Sequence, residues 1–186
     1  RGMKLSAMPF DDVEVVEDWL SVLRFSVEEN PLIGCVSLRS VTGTIKAAAA
    51  TIPLRIDYQE ARLLLGGGGL VTAGGACFAF RREVYDEVGG FDERYFCFYE
   101  EVDFSVAARE RGYYSAFASY PFVYHLGGAT TSEPKNMDAQ RILVESRQKF
   151  HQKWGKTPAQ IRQTLVSVPP LAGLREWNMQ MKVLVD

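Results

Sequence analysis

Cysteine and histidine are scarce in this sequence. Of its 186 residues, three are cysteine and two are histidine. Cys35, Cys77 and Cys97 are widely spaced and lie in apolar runs, which argues against a disulfide framework and against a Cys/His zinc site. We therefore expect reduced thiols within a core, as is usual in the cytoplasm.

Long apolar runs and an excess of charge are also lacking. No apolar run reaches the roughly 18 residues that a membrane-spanning helix needs, and we expect no signal peptide at the start of the sequence. The formal net charge of -2 gives no electrostatic footprint for nucleic acid or for an anionic membrane. The 47% hydrophobic and 24% charged residues that are present predict one ordinary globular domain with a real core.

Most of the acids and aromatics that could take part in chemistry lie in one segment, residues 89–103. Its sequence is GGFDERYFCFYEEVD. Gly89-Gly90 predicts the end of a preceding helix, because glycine readily adopts the left-handed conformation found past helix ends. A new helix is predicted to begin at about Glu100, and the aromatic side chains between the two helices are predicted to pack as a wall.

Three carboxylates, those of Glu100, Glu101 and Asp103, would fall within the first turn of that new helix. Acids in this position complement the helix dipole and cap free N–H groups, which is one interpretation. The other interpretation is a general base at the edge of a pocket. The spacing alone leaves both open.

Hydrophobic periodicity and turn residues predict alternating helices and strands elsewhere in the chain. An amphipathic helix that ends at Asn30-Pro31 is followed by a buried strand, residues 32–38. The other predicted elements are a strand at residues 74–80, a helix at residues 82–88, short strands at residues 113–118 and 122–125, a helix at residues 136–155, and a short helix that begins near Thr157-Pro158. His151, in the helix at residues 136–155, is interpreted as a surface residue.

The segments GGFDERYFCFYEEVDFSVAARERGY and PFVYHLGGATT closely resemble the carboxyl-terminal half of the catalytic domain in family 2 glycosyltransferases. This is the inverting GT-A type that includes rhamnosyl- and galactosyltransferase-like enzymes. The resemblance extends over residues 10–154 and includes DWL, NPLIG and a helix that ends in KWG. It implies an α/β fold with a mixed sheet flanked by helices, and transfer of a sugar from a nucleotide-diphosphate donor to a hydroxyl acceptor with inversion.

The resemblance also implies roles for individual residues. Glu101 matches the second acid of the family's acid pair and would be the general base, with Glu100 able to share the site. Asp103 projects about 200° away around the helix and is predicted to be a structural or capping acid. Substrate-binding roles are implied for Asp92, Gly75, Arg82 and Tyr99.

A divalent metal, Mn²⁺ or Mg²⁺, is expected from the same resemblance, because the family's D-x-D acids bind a cation that bridges the donor diphosphate. Asp12 matches the last acid of that motif, whereas Phe10 stands where the first acid is expected. His125 would help to hold the metal or the diphosphate, and we expect it on the same sheet edge as Asp12. The alternatives are that Asp11-Asp12 only begin a turn and that His125 is a hydrogen-bonded structural residue.

The family places a nucleotide-binding β-α-β half upstream of the D-x-D strand, so we expect this chain to be part of a longer catalytic domain. Residues 1–155 would form the partial GT-A domain, residues 156–186 a helical or extended tail, and RGMKLSA the remnant of a helix. The expected partners are a nucleotide-sugar donor and a saccharide or other hydroxyl acceptor, with no nucleic acid and with peripheral membrane association through the acceptor pathway. The isolated chain should bind nucleotide-sugar weakly or not at all. The competing interpretation is a non-catalytic carbohydrate-binding or protein-interaction remnant.

Overall fold

The computed structural model describes residues 5–9, 13–15, 20, 24, 28, 31–42, 63–64, 77–125, 138–157 and 159–161. The strands in these ranges are β1 Leu5–Pro9, β2 Val13–Val15, β3 Ile33–Thr42, β4 Leu63–Leu64, β5 Cys77–Arg81 and β6 Tyr114–His125. The helices are α1 Arg82–Val88, α2 Glu100–Glu110 and α3 Ala139–Trp154. Leu20, Arg24 and Glu28 are helical as well, as predicted for the amphipathic helix before Asn30-Pro31.

The described strands form one mixed sheet in the order β1-β5-β3-β6-β2, with β4 also paired to β6. β3 and β6 run parallel, and every other described pair is antiparallel. Parallel neighbours need a crossover connection, and α1 and α2 lie between β5 and β6 in the chain. The arrangement confirms the predicted α/β fold of GT-A type.

Two local predictions were wrong. Residues 5–9 form a strand that pairs with β5, not the remnant of a helix. The two short strands predicted at residues 113–118 and 122–125 are one strand, β6, in which the register shifts between Ala118 and Phe122. Pro121 lies in that interval and has no N–H to give to the ladder, so the break in pairing is local and the strand continues.

The helix ends follow the predicted glycine signals. Gly89 ends α1 with a φ of 91°, and Gly155 ends α3 with a φ of 64°, conformations that most side chains resist. At its start, α3 is capped by Asp138, whose carboxylate accepts a hydrogen bond of 3.0 Å from the N–H of Arg141. Thr157 and Gln160 exchange the two reciprocal hydrogen bonds of a capping box, which confirms a helix start there.

The core between the sheet and α2 is aromatic. Phe78, Phe80 and Phe104 are buried together with Cys35 and Val84. Among the described residues all three cysteines are free, and Cys35 and Cys77 are buried as predicted. None of the described helices is long and apolar enough to cross a membrane. Residues 162–186 lie outside the described ranges, so the predicted tail stays a prediction.

The close approach of β3 to the residue before β6 gives a stability test. A Cβ added at Gly34 would lie 2.7 Å from the Cβ of Tyr113 and 3.2 Å from Cγ2 of Val84. We expect Gly34→Ala to lower the free energy of unfolding by about 1–3 kcal/mol, as overpacking does in rigid cores. Urea denaturation measures this change.

Ser37→Ala, three positions along the same strand, is the matched control. The Ser37 hydroxyl is buried and has no hydrogen-bond partner among the described residues, so removal of the hydroxyl should be neutral or stabilising. A Gly34→Ala variant as stable as Ser37→Ala would contradict the close contact.

Candidate functional site

The loop between α1 and α2, residues 91–99, ends in an unusual backbone conformation. Phe98 and Tyr99 have φ values of 65° and 73°, and they are the non-glycine residues with positive φ in the described ranges. Each such residue costs on the order of 1–3 kcal/mol and persists only where its surroundings enforce it. We call residues 91–99 the aromatic loop. Its strained end leads directly into Glu100.

Some side chains of the aromatic loop pack in the protein interior, whereas at least one is exposed to solvent. Phe91 lies 4.8 Å from Phe104, centroid to centroid, and so joins the core. Tyr95 is buried, and the Tyr99 ring lies 5.4 Å from that of Phe150 in α3. Phe96, in contrast, is 81% exposed, so the predicted aromatic wall is formed by only some of the loop's rings.

Glu100 and Glu101 begin α2, and hydrogen bonds satisfy their carboxylates only in part. The N-cap residue, Tyr99, makes no side-chain capping hydrogen bond. One buried carboxylate oxygen, Oε2, of each glutamate has no hydrogen-bond partner within the part of the chain that is described. A buried acceptor without a donor carries a desolvation penalty, so both groups are available to a donor that is not part of the described protein.

Burial and, after it, the neighbouring charge of Glu100 together raise the pKa of Glu101 to about 7. The N–H groups of Glu101 and Val102 oppose this increase only in part. A carboxyl group with a pKa near neutrality can accept a proton and release it again at physiological pH. Glu101 therefore has the properties of a general base.

Asp103 is in the opposite situation, although it lies in the same helical turn. Its side chain is only 3% exposed and accepts hydrogen bonds from three donors. These are Nζ of Lys153 at 2.7 Å, Nε1 of Trp154 at 2.8 Å and the hydroxyl of Tyr95 at 3.3 Å. A carboxylate so fully engaged holds structure together, which agrees with the structural role that its position on the helix predicted.

Asp92, predicted to bind substrate, lies in an ion-pair network with the same lysine. Arg94 donates to both of its carboxylate oxygens, at 2.8 and 2.6 Å, and Nζ of Lys153 lies 2.9 Å from Oδ2. The hydrogen bonds from Arg94 hold the pKa of Asp92 well below its usual range, against the effect of partial burial and with further help from Lys153. Both oxygens thus have cationic partners within the protein.

The other predicted substrate-binding residues lie in different places. Arg82, at the start of α1, pairs with Asp86 at 2.9 Å on an exposed surface, and its guanidinium lies 5.3 Å from the centre of the Tyr85 ring. Tyr99 is the residue before Glu100 and packs on α3. Gly75 lies outside the described residues.

The predicted metal ligands can be followed through the pairing of β2 with β6. Val13 lies opposite His125 in that antiparallel pair, and Val13 follows Asp12 in the sequence. Asp12, Asp11 and Phe10 themselves are outside the described residues. In the ranges that the structure describes, no group of three or more His, Cys, Asp and Glu side chains could hold a metal ion.

Sequence reasoning missed the basic and aromatic partners of the acids. Lys153 and Trp154 join α3 to Asp92 and Asp103, across 50 to 61 residues of sequence. The available signal was the helical spacing of Ser146, Lys149, Phe150 and Lys153, which places these residues on one face of α3. That signal does not identify the element on which the face packs.

The carboxylate of Glu101, with one buried oxygen that has no partner among the described residues, predicts a stability change that depends on pH. The folded-state pKa of Glu101, about 7, exceeds the ordinary value of 4.5. The contribution of this carboxyl group to the free energy of unfolding is therefore fully present below pH 4.5 and is lost as pH rises through 7. At pH 8 we expect Glu101→Gln to raise the free energy of unfolding by an amount on the order of 3 kcal/mol. Thermal unfolding of both proteins at several pH values measures this.

The effect should disappear at about pH 4, where Glu101 is protonated in both states. Glu110→Gln, at the exposed end of the same helix, is the matched control and should show no such pH dependence. A Glu101→Gln variant that is less stable than the parent at pH 8 would mean that the glutamate has favourable partners.

Comparison with known proteins shows the family of this chain. Residues 32–142 match the model of the family described as "Glycosyltransferase like family 2", and this range covers more than half of the chain and includes α2 and β6. An N-acetylglucosaminyl-diphospho-decaprenol L-rhamnosyltransferase of Mycobacterium tuberculosis is 31% identical over 83 residues, which are 44% of this chain and 27% of that protein.

A second relative is the uncharacterized protein y4gI of Sinorhizobium fredii (strain NBRC 101917 / NGR234), 29% identical over 143 residues. The match covers 67% of this chain but 15% of that protein. The chain therefore spans less than a third of the length of either relative. The family match over residues 32–142 shows that this chain belongs to glycosyltransferase-like family 2.

Proposed function

We propose that this chain supplies the acceptor side of an inverting glycosyltransferase that uses a nucleotide-diphosphate sugar. The observation that carries the proposal is Glu101, with a pKa of about 7 and a buried Oε2 that has no partner among the described residues. Family membership supports glycosyl transfer in general. Glu101 adds a proton acceptor of the strength that such a transfer needs.

In the proposed reaction the acceptor hydroxyl attacks the anomeric carbon of the donor sugar. The new C–O bond forms on the face opposite to the diphosphate, whose own bond to that carbon breaks, so the configuration inverts. The hydroxyl proton passes to the carboxylate of Glu101. Glu100, whose charge helps to raise the pKa of Glu101, strengthens it as a base and could share the role.

A divalent cation, Mn²⁺ or Mg²⁺, would neutralise charge on the leaving diphosphate. We propose Asp12 and His125 as its ligands in this chain, since carboxylate and imidazole groups both bind such ions. The register that places Val13 opposite His125 supports their proximity. Gly75, Asp92, Arg82 and Tyr99 are proposed to contact the substrates, within a transferase fold assigned to residues 1–155 with a tail at 156–186.

The acceptor is proposed to be a saccharide hydroxyl. A relative is named for rhamnosyl transfer to N-acetylglucosaminyl-diphospho-decaprenol, so saccharides linked to a lipid diphosphate belong in an acceptor panel. The free, buried thiols support a reducing compartment such as the cytoplasm.

Replacement of Glu101 tests the proposal. In the full-length enzyme, Glu101→Gln should lower kcat by roughly two to four orders of magnitude, the worth of a general base, and leave donor binding unchanged. Release of nucleoside diphosphate from UDP-glucose, UDP-galactose and dTDP-rhamnose, with saccharide acceptors, measures turnover. The parent's activity should also rise with pH through about 7, and Glu101→Gln should lose that dependence.

Glu110→Gln, which removes an exposed carboxylate from the same helix, serves as the control and should turn over like the parent. A Glu101→Gln enzyme within a few-fold of the parent would exclude Glu101 and bring Glu100 or Asp92 forward. A parent that binds saccharide but releases no nucleoside diphosphate from any donor would favour the non-catalytic carbohydrate-binding alternative.

A further inference from the structure

One face of α3 is directed at the aromatic loop and at the first turn of α2. Ser146, Lys149 and Lys153 follow one another at helical spacing, Trp154 is next to Lys153, and each of the four donates a hydrogen bond to that region. We call these four residues the α3 clasp. Phe150 lies among them, is buried, and packs against Tyr99.

Two members of the clasp bind the backbone of the aromatic loop. The Ser146 hydroxyl donates a 2.8 Å hydrogen bond to the carbonyl of Cys97, and Nζ of Lys149 donates one of 2.8 Å to the carbonyl of Arg94. The Cys97 carbonyl belongs to the residue directly before Phe98 and Tyr99, the two with positive φ. The clasp therefore holds the backbone at the residue before the two positive-φ residues, Phe98 and Tyr99.

The other two members bind the first turn of α2 itself. Lys153 and Trp154 hold both carboxylate oxygens of Asp103, at 2.7 and 2.8 Å, and Lys153 also reaches Asp92 at the start of the aromatic loop. Asp103 is two residues after Glu101 on the same helix. Rotation of this turn about the helix axis would move Glu101 and would also break the buried contacts of Asp103, which is costly for a group so little exposed.

Glu101 is held through its carboxylate by the N–H groups of Glu101 and Val102, which belong to the same helical turn. Its Oε2 lacks a hydrogen-bond partner in the described part of the chain, and a strained Phe98-Tyr99 pair precedes its helix. Its orientation must then come from the backbone of the first turn. A misplacement of about 1 Å can cost about 100-fold in rate, so what holds that turn matters to the chemistry.

We propose that Lys153 is a positioning residue for Glu101, acting through Asp103 and the first turn of α2. The inference rests on the proposed role of Glu101 as general base. Lys153 is 27% exposed on its side chain and spans two carboxylates, those of Asp92 and Asp103. Lys153 is the clasp residue that links both Asp92, in the aromatic loop, and Asp103, in α2, to one point on α3.

A double-mutant cycle on kcat tests this proposal. Lys153→Met keeps most of the aliphatic stem and removes the charge. In the full-length enzyme it should lower kcat about ten-fold, with the KM for the nucleotide-sugar and for the saccharide acceptor changed less than three-fold. In the Glu101→Gln background the same change should lower kcat less than two-fold, because a base that is absent cannot be misplaced.

Lys156→Met is the matched control, since Lys156 is exposed three residues farther along and loses the same charge. It should leave kcat unchanged in both backgrounds. The Tm of every variant is measured by thermal unfolding, and the assay is run well below the lowest Tm. Differences in kcat then do not arise from loss of folded protein.

The outcomes separate this proposal from the previous one. If Glu101→Gln does not lower kcat, the proposed base fails. If Glu101→Gln lowers kcat but Lys153→Met costs the same factor in both backgrounds, or costs nothing, the positioning role is overturned. If Lys153→Met does not fold, the cycle is run with Ser146→Ala, which removes one hydroxyl. This change should lower kcat about three-fold in the parent and leave kcat of Glu101→Gln unchanged. Equal losses of kcat in both backgrounds would overturn the proposal.

Discussion

The buried carboxylate of Asp103 is the constraint on which the arrangement of the described carboxyl-terminal elements depends. A charge that is 3% exposed is tolerated only when donors surround it, and here the donors come from two elements, Tyr95 of the aromatic loop and Lys153 and Trp154 of α3. Removal of one partner would leave an under-compensated charge inside the protein. The packing of α2, the loop and α3 is therefore fixed by electrostatics as well as by apolar contact.

Helix α2 contributes residues to two apolar clusters. Phe104 and Ala108 belong to the cluster on the sheet, with Phe78 and Phe80. Val106 belongs to the other cluster, with Tyr95 of the aromatic loop and Phe150 of α3. Residues 103–108 of α2 are all buried, so this helix has little freedom to shift against either neighbour. Rigidity of this kind suits a helix whose first turn is proposed to carry the general base, because core packing resists displacement.

Much of the fold could be predicted because its signals are local. Gly89 and Gly155 marked helix ends through backbone conformation, and the apolar run at residues 32–38 marked a strand. The union of two predicted strands into β6 could not be seen, because Pro121 is a breaker in sequence but only a local irregularity once β3 pairs on both sides of it. The donors to Asp103 were also hidden, since Lys153 and Trp154 are about 50 residues away. The strain at Phe98 and Tyr99 is imposed by tertiary contacts and leaves no mark in their residue types.

The first turn of α2 shows how one helix end can supply two acids with different roles. Asp103 faces α3 and accepts three hydrogen bonds, so its charge is committed to structure. Glu101, half a turn away, has one buried carboxylate oxygen without a partner among the described residues, and its pKa rises to about 7. This difference in environment supports the proposed role of Glu101, rather than Asp103, as the proton acceptor. The instability that we expect from Glu101 above neutral pH has the same cause as its proposed role, since the burial that raises its pKa also disfavours its charged form.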